Sequence, residues 1–338
     1  MKRTSASVFP LLIALYSPFC TPKVQPTMPP SDAPLAEFWQ RPNDIASRDL
    51  FYGPWGRERS PDPDATYTLV ERKQHGTNPG VTVLDAAGRE WHVKQPPHND
   101  QGAEGPIEVT LSRVLSAVGY HQPPVYFVPS LSIADAKGRT HVEPGGRFRL
   151  TEKSLKHAGT WSWQQNPFVG TRPYQGLLVI LMMFNSSDIK NENNALYEVK
   201  RHSEGVGHWY VVRDLGTALG ETGRLAPQRG DPDIFEREPF IKSVTSGFVQ
   251  FNYHGWHQEL LKQITPEDVG WASEWLGRLS ERQWCDAFHA GGYEPAIADR
   301  FITRLRQKIA EGERFGETTA ASMAPDRCQP YYAVATHR

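Results

Sequence analysis

The amino-acid sequence predicts an α+β fold in two lobes, in which an antiparallel sheet with one helix precedes a mainly helical part. Three observations favour this fold. Apolar and polar residues alternate in three short runs over 66–95, one amphipathic segment follows them, and helical periodicity dominates from Phe235 onward. The chain has 338 residues, of which 38% are hydrophobic, which is enough for a sizeable core. We place the sheet lobe at 64–163 and the helical lobe at 164–313.

The three runs form the stretch TYTLVERKQHGTNPGVTVLDAAGREWHVKQ, which is broken at HGTNPG and at DAAGRE. Turn-forming residues at both breaks predict three antiparallel strands joined by two hairpins. In GPIEVTLSRVLSAVGY, apolar residues recur at helical spacing, so an amphipathic helix follows. The segments YHQPPVYFVPSLSI and GRFRL then supply further strands.

The second lobe begins with YQGLLVILMMF, which is apolar on nearly every face. That pattern predicts a helix buried in the core, and its length of about eleven residues is too short for a membrane span. The segments ALYEV and HWYVVRDLG alternate as a hairpin. Further on, Thr265 before Pro266 is typical of a helix start, and Ser280 with Gln283 predicts a capping box.

The first residues predict export. Lys2 and Arg3 precede an apolar stretch centred on 11–15, the plan of a secretory signal peptide, which we assign to 1–20. The expected location is therefore periplasmic or extracellular. Lipidation of Cys20 is the less favoured alternative, as is a loosely packed N-terminal tail. No membrane span is expected, since the apolar stretch is too short.

The segments that flank the two lobes lack helical or strand periodicity. Residues 21–63 are rich in proline and polar residues and predict a tether, while 314–338 predict a flexible tail. Cys285 and Cys328 could pair in an oxidising compartment, or Cys285 could be buried in a helix with Cys328 free in the tail. No cysteine and histidine spacing is typical of a zinc site.

The charge balance argues against a nucleic-acid partner. The chain carries 37 basic and 38 acidic side chains, a formal net charge of −1, and no basic run that would follow a phosphate backbone.

One polar block of the sequence, residues 188–194, indicates a catalytic site. DIKNENN follows the buried helix and resembles the catalytic loop of the protein-kinase fold, and VVRDLG resembles the strand that ends in Asp-Phe-Gly in that fold. The resemblance implies that Asp188 is the catalytic aspartate, Lys190 its charged neighbour, and Asn193 and Asp214 ligands of Mg²⁺. Phosphoryl transfer requires such groups, because it depends on a proton acceptor, hard oxygen ligands and cations near the phosphates.

The same resemblance assigns a nucleotide-binding role to Lys94, at the end of EWHVK, and to Glu108 on the following helix as its partner. Glu104 lies one helical turn earlier and could take the role of Glu108. GTNPG, from Gly76 to Gly80, sits where a glycine-rich phosphate loop belongs. It lacks the Gly-x-Gly-x-x-Gly pattern, so phosphate binding by Thr77 and the two glycines competes with a tight hairpin turn.

Several departures point away from ordinary eukaryotic kinases. No His-Arg precedes Asp188, no Ala-Pro-Glu segment follows, and the interval from Asp188 to Asp214 is longer than usual. The polar loop is more similar to that of atypical bacterial HipA-type kinases. The combination of EVTLSRVLSAVGYHQPP, NPFVGTRP, DIKNENNALY, VVRDLGTALG and FHAGGY also resembles a family of uncharacterised bacterial proteins that often carry export signals.

Together these features predict an atypical kinase-like phosphotransferase that uses ATP and Mg²⁺ on an unknown protein or small-molecule acceptor. Two alternatives stay open. One is an inactive, pseudokinase-type binding module of the cell envelope, and the other is a nucleotidyl (AMP) transferase on the same fold. Among the remaining residues, we expect Arg224 to be a surface or ion-paired residue, and Trp161 and Trp163 to pack in the core.

Overall fold

The computed structural model describes residues 34–73, 78–97, 103–201, 205–225 and 227–322. The predicted signal peptide with Cys20, the phosphate-loop residues Gly76 and Thr77, and Cys328 lie outside these residues. Cys285 is half-buried and forms no disulfide within the described residues. Within the described ranges, the structure contains no helix that combines the length and apolar character needed to cross a membrane.

The first sheet is a closed five-stranded barrel with the order β1-β2-β3-β5-β4. Its strands are β1 (Thr66–Arg72), β2 (Gly80–Leu84), β3 (Glu90–Lys94), β4 (Val125–Ala134) and β5 (Thr140–Leu150). The two predicted hairpins are confirmed, because β1, β2 and β3 pair antiparallel. The closure was not predicted, and it comes from parallel pairing of β1 with β4.

The barrel encloses its own small core. Along β3, Trp91 and Val93 are buried while the alternate residues are half-exposed, as expected for a strand with one face inward. Phe148 from β5 makes ring contacts with Trp91 and with Tyr67 of β1. Since side chains alternate along a strand, the other residues of β3, including Lys94, face the outside of the barrel.

A larger core lies among the helices. Helix α1 (Glu104–Ala117) confirms the predicted amphipathic helix and packs Ile107, Leu111 and Val114 into this core. Helix α2 (Arg172–Met183) confirms the predicted buried helix, with ten consecutive buried residues after Arg172 and Pro173. Trp161 and Trp163 are fully buried beside it, which confirms core packing for both.

The second half of the chain is mixed rather than helical throughout. A three-stranded sheet contains β6 (Leu155–Gly159), β7 (Asn194–Arg201) and β8 (Gly205–Val212), of which the β7–β8 hairpin was predicted. Beyond it lie α3 (Pro232–Arg237), β9 (Ile241–Thr245), β10 (Phe248–Phe251), α4 (Pro266–Gly277), α5 (Glu281–Ala290) and α6 (Pro295–Ser322). The β9–β10 hairpin was missed in a stretch interpreted as helical. The predicted helix start at Thr265 and the predicted capping box at Ser280 are confirmed, and Thr265 also forms a capping box, with Asp268.

The predicted boundaries at both ends need correction. Residues 34–63 do not form a free tether, because Phe38 and Leu50 are buried in the helical core. The ring of Phe38 stacks on Phe168 at 5.0 Å and meets Trp161 in a T-shaped contact. These aromatic residues bury large apolar areas, which outweighs the proline-rich composition around them. At the other end, α6 continues through 314–322, a stretch predicted as flexible tail.

A buried lysine joins α6 to the end of α2. Lys308 is fully buried, and its Nζ donates to the carbonyl oxygen of Met183 and to Oδ1 of Asn185, each at 2.9 Å. Asn185 adopts a positive φ of 54° and donates in turn to the carbonyl of Gly220. This contact fixes the turn that leads from α2 into the polar loop.

Candidate active site

A cavity of about 720 Å³ lies between β2, β3 and β5 of the barrel, the polar loop after α2 and the segment after β8. Five of the residues singled out from the sequence line it, namely Lys94, Asp188, Lys190, Asn193 and Asp214. Gly80 also lines it. Glu108 is not among the lining residues but lies directly behind Lys94.

Lys94 reaches the cavity from the last position of β3 and is surrounded by acids. Its Nζ lies 2.9 Å from Glu104 Oε2, 3.5 Å from Asp214 Oδ1 and 3.7 Å from Glu108 Oε2. Desolvation disfavours the ammonium, but the charges of Glu108, Asp214 and Glu104 outweigh it and raise the pKa of Lys94 above its ordinary value. Lys94 is therefore a permanent cation at neutral pH.

Of the two candidate partners on α1, Glu104 makes the closer contact. Its other oxygen lies 2.5 Å from Arg229 Nη1, and Asn78 Nδ2 donates to Oε2 at 2.5 Å. Glu108 instead places Oε1 2.9 Å from Arg147 Nε. The first turn of α1 thus links β3, the β1–β2 connection and the segment after Asp214. Gly216 permits this approach, since a Cβ there would come within 2.9 Å of the Glu104 carbonyl oxygen.

The polar loop is held by its own side chains. Lys190 Nζ lies 2.6 Å from Asp188 Oδ1, and Asn193 Nδ2 donates to Asp188 Oδ2 at 3.0 Å and to its carbonyl at 2.7 Å. Asn191 accepts a hydrogen bond from the backbone N–H of Trp163, a purely structural contact. The Lys190 ammonium also lies 4.8 Å from the ring centre of Trp256, which lines the cavity.

Strand pairing brings Asn193 and Asp214 together although they are distant in sequence. In the β7–β8 hairpin, Asn194 pairs with Val212, and the Arg213 N–H donates to the Asn193 carbonyl at 3.0 Å. Asp214 follows immediately, with a φ of 51°. A left-handed conformation in a residue other than glycine costs on the order of 1 kcal/mol and is often found at functional sites.

The charge of Asp214 is fixed by its surroundings. Desolvation in the cavity disfavours the carboxylate, but the neighbouring cations, Lys94 first, outweigh it and lower the pKa of Asp214 below its ordinary value. The side chain is 42% exposed, so its second oxygen is accessible from the cavity.

The donor set fits Mg²⁺. Asn193 offers an amide oxygen, because its Nδ2 is committed to Asp188, and Asp214 offers a carboxylate. Within the described residues no group of three or more His, Cys, Asp or Glu side chains could hold a metal ion. A small number of protein oxygen ligands is typical of Mg²⁺ sites, because Mg²⁺ keeps several waters and uses one or two protein ligands together with phosphate oxygens.

Gly80 is explained by strand pairing. A Cβ at this position would lie 2.6 Å from the carbonyl oxygen of Val93 on β3, so the close approach of the two strands requires glycine. With Gly76 and Thr77 outside the described residues, the phosphate-loop role of GTNPG stays a prediction.

Sequence reasoning missed most of the arginines. Arg147, Arg149, Arg213, Arg224 and Arg229 all line the cavity. A signal was present in GRFRL, because alternate residues of a strand share a face and place the two arginines of this segment on one side. Arg224, expected at the surface or in an ion pair, donates to the Gly255 carbonyl at 3.1 Å.

Comparisons with known proteins identify no family by sequence, since no family model and no curated protein matches the chain. Among solved structures, the chain is similar to the Helicobacter pylori proinflammatory kinase CtkA, with 11% identity, a TM-score of 0.46, and coverage of 77% of this chain and 99% of that chain. It is also similar to the Rio2 kinase of Chaetomium thermophilum in its ADP/Mg²⁺-phosphoaspartate complex, with 12% identity, a TM-score of 0.31, and coverage of 73% and 72%. At TM-scores below 0.5, neither similarity carries an argument about function. The HipA-type resemblance stays a prediction.

Proposed function

We propose that the chain is an atypical kinase-like phosphotransferase that uses ATP and Mg²⁺ to phosphorylate a hydroxyl group. One observation supports this most strongly. Lys94, Asp188, Lys190, Asn193 and Asp214, chosen from separate parts of the sequence for their chemistry, line a single cavity. Its volume of about 720 Å³ is within the range of pockets that enclose a nucleotide-sized ligand.

Each residue then has a role. Lys94, kept charged by its three carboxylates, contacts the phosphates of the nucleotide. Asn193 and Asp214 would hold Mg²⁺, which neutralises charge on the phosphates when bound. Asp188 orients the acceptor hydroxyl and takes its proton as the new oxygen–phosphorus bond forms and the bond to the ADP oxygen breaks. Lys190, 2.6 Å from Asp188, balances charge on the transferred group.

Nucleotide binding is tested by thermal denaturation with increasing ATP and Mg²⁺. We expect the wild-type melting temperature to rise, since a ligand that binds only the folded state stabilises it by mass action. Asp214→Asn should lose most of this rise. The matched control is Asp299→Asn, which removes a carboxylate from an exposed position on α6. If the melting temperature of the wild type does not rise, the proposal is overturned. If Asp214→Asn shows the same rise as the wild type, the assignment of Asp214 is overturned.

Transfer is tested with ATP labelled at the γ or the α phosphate. Incorporation of the γ label supports the phosphotransferase, whereas the α label would show nucleotidyl transfer. ATP binding without incorporation of either label into cell-envelope extracts would favour the pseudokinase-type module. Export stays a prediction, because residues 1–20 lie outside the described part of the chain.

A further inference from the structure

The cavity is lined by more basic than acidic side chains, and the roles proposed above do not involve all of the basic ones. Within the described residues, eight basic side chains line it against four acidic ones. The acidic residues are Glu71, Glu104, Asp188 and Asp214. Three of them are engaged by Lys94, Lys190 or Arg229, and Glu71 accepts from Thr82. Apart from Arg147, which pairs with Glu108, the remaining basic groups have no ion-pair partner among the described residues.

Two arginines stand out in this surplus. Among the residues that the structure describes, neither Arg149 nor Arg213 forms an ion pair. Arg213 donates to the Tyr197 hydroxyl through Nη1 at 3.4 Å, while its Nε is buried without a hydrogen-bond partner in the described part of the chain. A buried guanidinium N–H without an acceptor is costly, so this group favours an oxygen acceptor.

The fold forces these like charges together. In the pairing of β5 with β3, Arg147 lies opposite Lys94 and Arg149 lies opposite His92, so both arginines stand on the outer face of the barrel above the cavity. Arg213 approaches from the end of β8. Burial, followed by repulsion from Arg147 and Arg213, lowers the pKa of Arg149 to about 10. Polar uncharged residues at these positions would remove this repulsion.

We propose that Arg149 and Arg213 form an oxyanion subsite that binds a phosphate group in the cavity. A planar guanidinium binds phosphate through two parallel N–H···O bonds, and two arginines converging on one cavity suit a group with several charged oxygens. The link between this subsite and phosphoryl transfer rests on the proposed function. Its phosphate belongs either to the nucleotide or to an acceptor that is itself phosphorylated.

The subsite is tested by calorimetric titration of the full chain with inorganic pyrophosphate, without ATP. Arg149→Met and Arg213→Met should each weaken binding about tenfold or more, the loss expected for a charge-assisted contact. Arg149→Lys keeps the positive charge but loses the planar guanidinium with its two parallel N–H donors, so it should retain part of the affinity. The control is Arg282→Met on α5, an arginine with a side chain 90% exposed, which should bind like the wild type.

A second readout separates a ligand site from a structural role. Because repulsion among the arginines opposes folding, Arg149→Met should melt at the same or a higher temperature than the wild type when no anion is present. A clear drop in melting temperature, or wild-type pyrophosphate affinity in both Met variants, would overturn the subsite.

The two sources of the phosphate are distinguished by repeating the titration with saturating ATP and Mg²⁺. If pyrophosphate no longer binds and Arg149→Met also weakens ATP binding, the subsite holds the phosphates of the nucleotide. If pyrophosphate binds alongside ATP, the subsite serves a separate anionic ligand. If the protein binds pyrophosphate but not ATP, the phosphotransferase proposal is contradicted and the subsite is supported.

Discussion

Two lysines removed from solvent have opposite surroundings in this molecule. Lys94, in the cavity, lies among three carboxylates, and its pKa is raised. Lys308, between α6 and α2, donates to two neutral oxygens and lies 4.0 Å from the ring centre of Phe235. Burial and the nearby Arg304 lower its pKa well below the ordinary value. Carboxylates thus keep one lysine charged in the cavity, while the other serves as a packing and hydrogen-bonding group.

The largest expected effect follows from removing the charge in the cavity. Lys94→Met should lower kcat/KM for phosphoryl transfer by about 100-fold or more, because a fixed cation at the transferred phosphates is lost. The control is Lys156→Met, which removes a lysine whose side chain is 75% exposed on β6. Transfer rates that stay within a few-fold of the wild type would show that Lys94 does not contact the phosphates.

Removing the buried structural lysine should act on stability instead. Lys308→Met leaves the Met183 carbonyl and Asn185 Oδ1 without their donor, and we expect the free energy of unfolding to fall by about 2 kcal/mol. Urea denaturation measures this change, again with Lys156→Met as control. An equal or greater stability in Lys308→Met would mean that the desolvation of the amine outweighs its hydrogen bonds.

The two lysines also predict opposite pH dependences. Since the pKa of Lys308 is lowered on folding, the unfolded chain binds the extra proton, and stability rises with pH between the folded pKa and about 10.5. The slope is at most about 1.4 kcal/mol per pH unit. Urea denaturation from pH 6 to pH 10 should show a shallower slope in Lys308→Met. Lys94 acts in the other direction, because its raised pKa adds stability that is lost only above about 10.5.

A smaller effect separates the two carboxylates of α1. Glu104 lies 2.9 Å from Lys94 Nζ and Glu108 lies 3.7 Å away, so Glu104→Gln should disturb the position of Lys94 more. We expect ATP affinity to fall about fivefold in Glu104→Gln and about twofold in Glu108→Gln. Calorimetric titration with ATP and Mg²⁺ at a temperature where both variants are folded checks the ranking. The reverse order would make Glu108 the functional partner.

The sequence predicted those parts of the fold that depend on local pattern. The two barrel hairpins, α1, α2 and the caps at Thr265 and Ser280 follow from periodicity, turn residues and capping chemistry, which are all local. Closure of the barrel was not visible, because it depends on pairing of β1 with β4 across more than sixty residues. The arrangement of the chain in two lobes stays a prediction.

The site shows the same limit. Asp188, Asn193 and Asp214 could be singled out from the sequence because their motifs are short and ordered along the chain, and all three line the cavity. The preference of Lys94 for Glu104 was left open, since both glutamates lie on one helix face and only the packing of α1 decides between them. Arg149 and Arg213 were missed because their common cavity is created by two separate sheets.

Phe38 has a consequence for the order of folding. It comes early in the chain, but its ring partners Trp161, Phe168 and Tyr174 are synthesised more than a hundred residues later. The segment before β1 can dock first on the end of α1, through Trp39, Arg48 and the ring of Tyr120, but its aromatic packing is completed only once α2 has left the ribosome. Until then part of its apolar surface stays exposed, and exposed apolar surface is what chaperones bind during synthesis.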